Sequence, residues 1–278
     1  MLQNLQKRTV LTANNKIERL KGLFKQSDAI LLAFSGGVDS TFLLYTLARI
    51  FKLKVRALTI KTPYIPRWEV DEAISFCRKY NIDHEVVNLS FPESIISNPS
   101  DRCYRCKKVL FSKIKEYAET NKFNIIVDGS NADDTSDYRP GMRALKELKI
   151  MSPLLESGIS KAEIRENLKN WGLEIWNKPA YACLLTRIPH DIVVDEDLLF
   201  RIEKAELYIK NIGFPGTRVR VHGEVARLEC FPQHIRDLSD DKLRAKITKE
   251  LKNIGFKYIT LDLEGYRMGS LNIVNKNK

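Results

Sequence analysis

The chain has 278 residues, of which 44% are hydrophobic and 29% charged, an ordinary composition for a globular protein with a sizeable core. No apolar run reaches the roughly 18 residues a membrane span needs, and the start, MLQNLQKRTVLTANNK, lacks the apolar stretch of a signal peptide. Lysine and arginine (46) outnumber aspartate and glutamate (35), and the formal charge of +11 predicts anionic partners, either nucleic acid or a small molecule rich in phosphate and carboxylate.

Leu2 to Phe24 carries a helical apolar spacing. Ala29 to Phe34 reads as a buried parallel strand that breaks into Ser35-Gly36-Gly37-Val38-Asp39-Ser40. The two glycines let the backbone turn tightly and approach a ligand with no Cβ in the way. Ser40 opens an apolar-periodic helix, TFLLYTLARIF, whose first N–H groups and positive dipole end face that turn. Such a turn suits pyrophosphate. No lysine follows the glycines, so the spacing is not that of the Walker A loop.

Val55 to Ile60 predicts a second strand, Trp68 to Tyr80 an amphipathic helix, and His84 to Leu89 a third strand. Cys106 to Glu119 reads as a helix, and Asn124 to Asp128 as a fourth strand ending in Gly129. Strands alternating with helices predict an α/β fold with a parallel sheet covered on both faces, its ligands beyond the carboxyl ends of the strands. Ser160-Lys-Ala-Glu163 is a capping box that starts another helix. Beyond Pro189 the texture changes, and a smaller α/β domain is expected over 191–278, after a first domain over 1–190. There Asp195 to Ile212 is helical, Thr217 to Val221 and Val225 to Cys230 form a hairpin, Ile235 to Ile254 is helical, and Tyr258 to Leu263 is a strand. The string NIGF occurs at 211–214 and 253–256, each time between a helix and a strand, which suggests an internal duplication.

The protein is expected to be cytoplasmic, where the five cysteines would be thiols or metal ligands rather than disulfides. Cys103-Tyr-Arg-Cys106 puts two sulfurs within reach of one metal, and Cys183 supplies a distant third. Three thiolates leave one metal position open, as catalytic sites do. On an iron–sulfur cluster, usually held by four cysteines, three leave one iron open to an external sulfide. A structural zinc half-site or a redox pair are competing readings of the CxxC. The first usually shows a fourth Cys or His nearby, and the second gives Cys183 no role. Cys77, on an apolar helix face, and Cys230, at a strand end, read as core.

The string SGGVDS resembles the PP-loop of the ATP pyrophosphatase superfamily. Further strings, DGSNADD (128–134), DYRPG (137–141), WNKPAYACLLTRIP (176–189), RVRVHGEVARLE (218–229) and LDLEGYRMGSLN (261–272), make the chain similar to the LarE family of ATP-dependent sulfur transferases along its whole length. The resemblance implies a Rossmann-like sheet of the PP-loop (HUP) type. Family members with a single cysteine matching Cys183 sacrifice its sulfur and become dehydroalanine. The added CxxC instead resembles the subgroup that holds a 4Fe-4S cluster on three cysteines, here Cys103, Cys106 and Cys183. Cluster-dependent tRNA thiolases share that cysteine pattern but carry zinc ribbons and an RNA-binding domain that this chain lacks, so tRNA is disfavoured as a partner. An amide-forming PP-loop ligase with incidental cysteines is a third reading.

The resemblance further implies that ATP and Mg²⁺ are held by Ser35, Gly36, Gly37, Asp39 and Ser40, with Gly129 and Lys178 beside the pyrophosphate. The implied substrate is pyridinium-3,5-biscarboxylic acid mononucleotide, its carboxylates adenylated and converted to thiocarboxylates with sulfur from a sulfide source. Its anionic groups suit Arg139, Arg187, Arg218 and Arg220, since the arginine fork matches planar anions. Arg218 and Arg220 alternate along a strand, so both are expected on one open face. A homo-oligomer is also expected.

Overall fold

The computed structural model describes residues 15–135 and 140–267; Arg139, the apolar positions before residue 15 and the motif residues after Arg267 lie outside the described residues. Helix α1 (residues 15–22) is followed by β1 (Ile30–Ala33), α2 (Val38–Tyr45), β2 (Val55–Lys61), α3 (Arg67–Lys79) and β3 (Asp83–Asn88). Next come α4 (Arg102–Thr120), β4 (Ile125–Val127), α5 (Pro140–Glu147), a single turn α6 (Pro153–Glu156) and α7 (Lys161–Asn170). The chain forms two compact units. The first comprises Met1–Lys61, Glu69–Leu89 and Asp101–Lys178; the second comprises Thr62–Trp68, Ser90–Ser100 and Pro179–Lys278. The second unit therefore takes in the loops after β2 and β3 as well as the chain from Pro179, a division that a single cut at 191 does not describe.

In the first unit the sheet is four-stranded and wholly parallel, in the order β3-β2-β1-β4. Ile30, Leu31 and Leu32 of the central strand are completely buried, which is why that strand is an unbroken apolar run. Its side chains alternate between two cores. Ile30 and Leu32 pack with Phe42, Leu43 and Leu168, and Leu31 packs with Leu58, Phe111 and Ile114. The α4 helix begins four residues earlier than the apolar pattern suggests, so Cys103 and Cys106 lie inside its first turns. The capping box of α7 forms as expected: the Ser160 hydroxyl accepts from Glu163 N, and the Glu163 carboxylate accepts from Ser160 N.

The second unit holds α8 (Glu196–Asn211), β5 (Arg218–His222), β6 (Val225–Glu229), α9 (Ile235–Leu238), α10 (Asp241–Ile254) and β7 (Tyr258–Leu261). Its sheet has the order β5-β6-β7, with β5 and β6 antiparallel and β6 and β7 parallel. The single helix expected over 235–254 is two helices, because the Asp240 carboxylate caps α10 by accepting from Lys242 N and Leu243 N. The repeated NIGF string closes α8 and α10 in the same way. Gly213 (φ +101°) and Gly255 (φ +113°) take the left-handed conformation. Phe214 N then donates to Ile209 O and Phe256 N to Leu251 O, the bond pattern of a Schellman helix end.

Replacing a fully buried side chain of the central strand should cost the transfer energy of the lost atoms plus that of the cavity. Leu32→Ala is expected to destabilise the first unit by about 2–5 kcal/mol, read as a lower urea midpoint with little change in slope.

Candidate functional site: the turn between β1 and α2

The parallel strands end at the turn Phe34 to Gly37, and α2 starts directly after it with Gly37 at the N-cap. Helix geometry leaves the N–H groups of Val38, Asp39 and Ser40 without intrahelical acceptors, and they converge with the positive end of the helix dipole. Gly36 has φ +68°, and a Cβ there would meet Ala73 Cβ at 3.1 Å and Glu69 O at 3.2 Å. The left-handed backbone favours glycine, and an added Cβ would in addition need these neighbours to give by a few tenths of an ångström. Gly37 differs: its φ is −78°, and the nearest contact of an added Cβ is Ser35 Oγ at 3.3 Å. The two serine hydroxyls of the motif, Ser35 and Ser40, lie 3.1 Å apart; Ser35 Oγ accepts from Gly37 N and Ser40 Oγ donates to Gly37 O.

Gly129, at the end of β4, packs on the first turn of α2 so closely that a Cβ would lie 2.8 Å from Ser40 N and 2.9 Å from Ser40 Cα. The residues after it stitch themselves together. Asp128 is buried and accepts from the hydroxyls of Ser130 and Ser152; Asn131 N donates to Asp134, and Asp133 N donates to the Asn131 side chain. Asp133 in turn accepts from Lys161 N at the start of α7.

Two lysines meet at the turn. Lys178 donates to Gly36 O at 2.9 Å and pairs with Glu72 at 2.7 Å. The backbone carbonyls of Trp176 and Lys178 accept from the Arg165 guanidinium of α7, which fixes that segment. Lys161 pairs with Asp39 Oδ2 at 3.1 Å, whereas Asp39 Oδ1 is buried with no hydrogen-bond partner. An orphaned carboxylate oxygen beside a helix N-terminus is a place for a cation or a ligand donor. Thus Ser35, Gly36, Gly37, Asp39, Ser40, Gly129 and Lys178 come together. Lys161, Glu72 and Arg165 were not singled out from sequence. Only the capping box at Ser160, which places Lys161 at the start of a helix, carried a signal for any of them.

A cleft of about 570 Å³ in this unit lies elsewhere, at the amino ends of the strands, lined by residues such as Arg49, Lys54, Asp83 and Phe123. None of the motif residues faces it.

None of the five cysteines is in a disulfide. Cys77 and Cys230 are buried as expected, and burial pushes the Cys77 thiol up to about 12. Cys103 is exposed and Cys106 half-buried, one helical turn apart on the same side of α4. Cys183, half-buried, belongs to the second unit. Among the described residues no three Cys, His, Asp or Glu side chains gather as a metal site.

The arginines of the second unit differ from expectation. Arg218 and Arg220 do share one face of β5, but that face is covered: Arg187, Arg218 and Arg220 are 0%, 2% and 5% exposed. Arg187 makes a fork-to-fork pair with Glu206 (2.7 and 2.9 Å), and Arg220 pairs with Glu229 at 2.9 Å. Arg218 donates to the carbonyls of Ala180 and Gly216 and lies over the rings of Tyr181 and Tyr266. No carboxylate pairs with Arg218 among the described residues, and burial together with the nearby Arg187 charge pulls its pKa down. The reason is local: alternation sets the face a strand residue points to, not what covers that face.

Comparison with known proteins agrees with this geometry. Residues 29–100 match the family model described as queuosine biosynthesis protein QueC. An uncharacterized protein of Synechocystis is 37% identical over 94% of this chain and 98% of its own length. One of Methanocaldococcus jannaschii is 33% identical over 94% and 98%. The pyridinium-3,5-bisthiocarboxylic acid mononucleotide synthase of Lactiplantibacillus plantarum is 31% identical over 94% of this chain and 95% of that protein. With a glycine-built turn at the carboxyl edge of a parallel sheet and similarity to that synthase over 94% of this chain, the chain belongs to the LarE family of the PP-loop superfamily.

Proposed function

We propose that the chain is an ATP-dependent sulfur transferase that adenylates a substrate carboxylate and replaces one of its oxygens with sulfur. The observation that carries this is the turn after β1, where Gly36 takes a left-handed backbone and the close approach of Gly129 to Ser40 admits no Cβ, in a chain similar throughout to a bisthiocarboxylic acid mononucleotide synthase. The β- and γ-phosphates of ATP bind the N–H groups at the start of α2 and the hydroxyls of Ser35 and Ser40. Lys161 and Lys178 offset charge on the departing pyrophosphate. Asp39, through its orphaned Oδ1, would hold Mg²⁺, whose chemistry there is to neutralise phosphate charge.

A substrate carboxylate oxygen attacks the α-phosphorus and pyrophosphate leaves. Sulfide then attacks the carbonyl carbon of the acyl-adenylate, AMP departs with the bridging oxygen, and a thiocarboxylate remains. The name of the Lactiplantibacillus relative contains two thiocarboxylates, so the substrate is pyridinium-3,5-biscarboxylic acid mononucleotide and two rounds are required. Of the three buried arginines, Arg218 alone has no carboxylate partner among the described residues, so its charge is the one left to answer a substrate phosphate or carboxylate.

The three thiols Cys103, Cys106 and Cys183 are the donor set for a 4Fe-4S cluster, which when bound leaves one iron without a protein ligand to carry the sulfide. The donor chemistry fits, with two thiols side by side on α4; the described side chains do not themselves gather three ligands, so iron content is the deciding measurement.

Adenylation is measured as AMP and pyrophosphate release with the mononucleotide present. Gly36→Ala and Gly129→Ala should each lower it by about tenfold or more, since a displaced backbone costs on the order of 1–3 kcal/mol, whereas Gly37→Ala should change it by less. Near-normal release from Gly36→Ala, Gly129→Ala and Asp39→Ala together would remove this reading of the turn. Arg218→Ala should raise the substrate KM about ten- to a hundredfold with ATP binding little changed.

Anaerobically isolated protein should contain iron and labile sulfide. Cys103→Ala, Cys106→Ala and Cys183→Ala should each lose both, along with sulfur transfer, while still adenylating. Mass spectrometry after turnover separates the two sulfur sources. Conversion of Cys183 to dehydroalanine would show a sacrificial donor in place of a cluster.

A further inference from the structure

The segment that carries Cys183, residues 180–189, has almost no regular structure, only one tight turn at Leu184–Arg187. Irregular buried backbone must find partners for its carbonyls elsewhere. Part of this is local, since Thr186 N (3.1 Å) and the Thr186 hydroxyl (2.9 Å) both donate to Cys183 O; the remaining partners are four buried side chains of the same unit. The Arg187 Nη1 donates to Ala182 O (2.9 Å), Cys183 O (3.3 Å) and the Thr186 hydroxyl (2.7 Å). Arg220 donates to Thr186 O and Arg218 to Ala180 O. Asn98, itself completely buried with φ +51°, donates through one side-chain nitrogen to Leu185 O (3.3 Å), Ile188 O (3.0 Å) and Pro189 O (2.9 Å).

We infer that Arg187, locked by Glu206, is the positioning residue of Cys183. Its guanidinium is oriented by two bonds to Glu206, whose Oε1 also accepts from Val219 N of β5. A single rigid fork thus ties β5 and α8 to the carbonyl of the cysteine. Lysine cannot reproduce this, because one ammonium cannot reach both Glu206 and the two carbonyls with fixed geometry. The four arginines that the sequence suggests as substrate contacts therefore include one whose work is internal.

The decisive variant removes both charges, Arg187→Met with Glu206→Gln, since an unpaired buried carboxylate alone would destabilise the unit. The full-length chain, metal-free and reduced, is treated with limiting iodoacetamide, and each cysteine is read by peptide mass spectrometry. Exposed Cys103 serves as the internal reference, and buried Cys77 and Cys230 report whether the fold is intact. The Cys183:Cys103 labelling ratio should rise about tenfold while Cys77 and Cys230 stay unlabelled, and Arg187→Lys should show an intermediate rise. If the double variant labels its buried cysteines, Arg187→Lys alone decides. A wild-type ratio in whichever of these variants keeps its buried cysteines protected overturns the assignment. A second readout rests on the sulfur-transfer reading: thiocarboxylate formed per AMP released should fall about tenfold in the double variant and recover partly in Arg187→Lys. Absence of AMP release from wild-type protein would sink that reading and leave the labelling result standing.

Discussion

The first unit depends on one close approach, the Cα of Gly129 against the backbone of Ser40. It brings the chain leaving β4 directly onto the first turn of α2, and no other residue type leaves room for it. From that point the Asp128 to Asp134 stretch is fastened by Ser130, by Ser152 and by its own amides, and Asp133 delivers the start of α7 with Lys161. The site is thus assembled from the ends of two neighbouring parallel strands, the arrangement that βαβ connection makes available at a carboxyl edge.

In the second unit the dominant cost is buried charge. Arg187, Arg218 and Arg220 sit near Glu206 and Glu229 with almost no solvent, and isolated ions in such surroundings would be strongly disfavoured. Bidentate pairing offsets that cost for Arg187, and pairing with Glu229 does so for Arg220. Arg218 relies on carbonyls and ring faces instead. This shapes an irregular segment that hydrophobic packing alone would leave underdetermined.

Much of the first unit was legible in the sequence because its signals are local. An apolar run, paired glycines and a capping box each have one favoured backbone outcome, and β1, the turn, α2 and α7 begin within two residues of where those signals place them. The distinction between Gly36 and Gly37 was not legible, since it depends on Ala73 and Glu69 arriving from another helix. Lys161 and Glu72 escaped for the same reason: their roles come from partners more than thirty residues away in the chain. The arginine face of β5 was read correctly as a face and incorrectly as an open one, because alternation carries no information about the neighbouring layer. The long helix over 235–254 divides because a single aspartate competes for the backbone N–H groups.

The depth of Cys77 also bears on how the chain tolerates oxidants. Burial raises the Cys77 thiol far above its ordinary range, which keeps it protonated at neutral pH, and the thiolate is the form that attacks peroxides or disulfides. The protein therefore carries an inert sulfur within its core. Chemical wear falls first on the thiols that solvent can reach, where repair enzymes and exchange partners can also reach them.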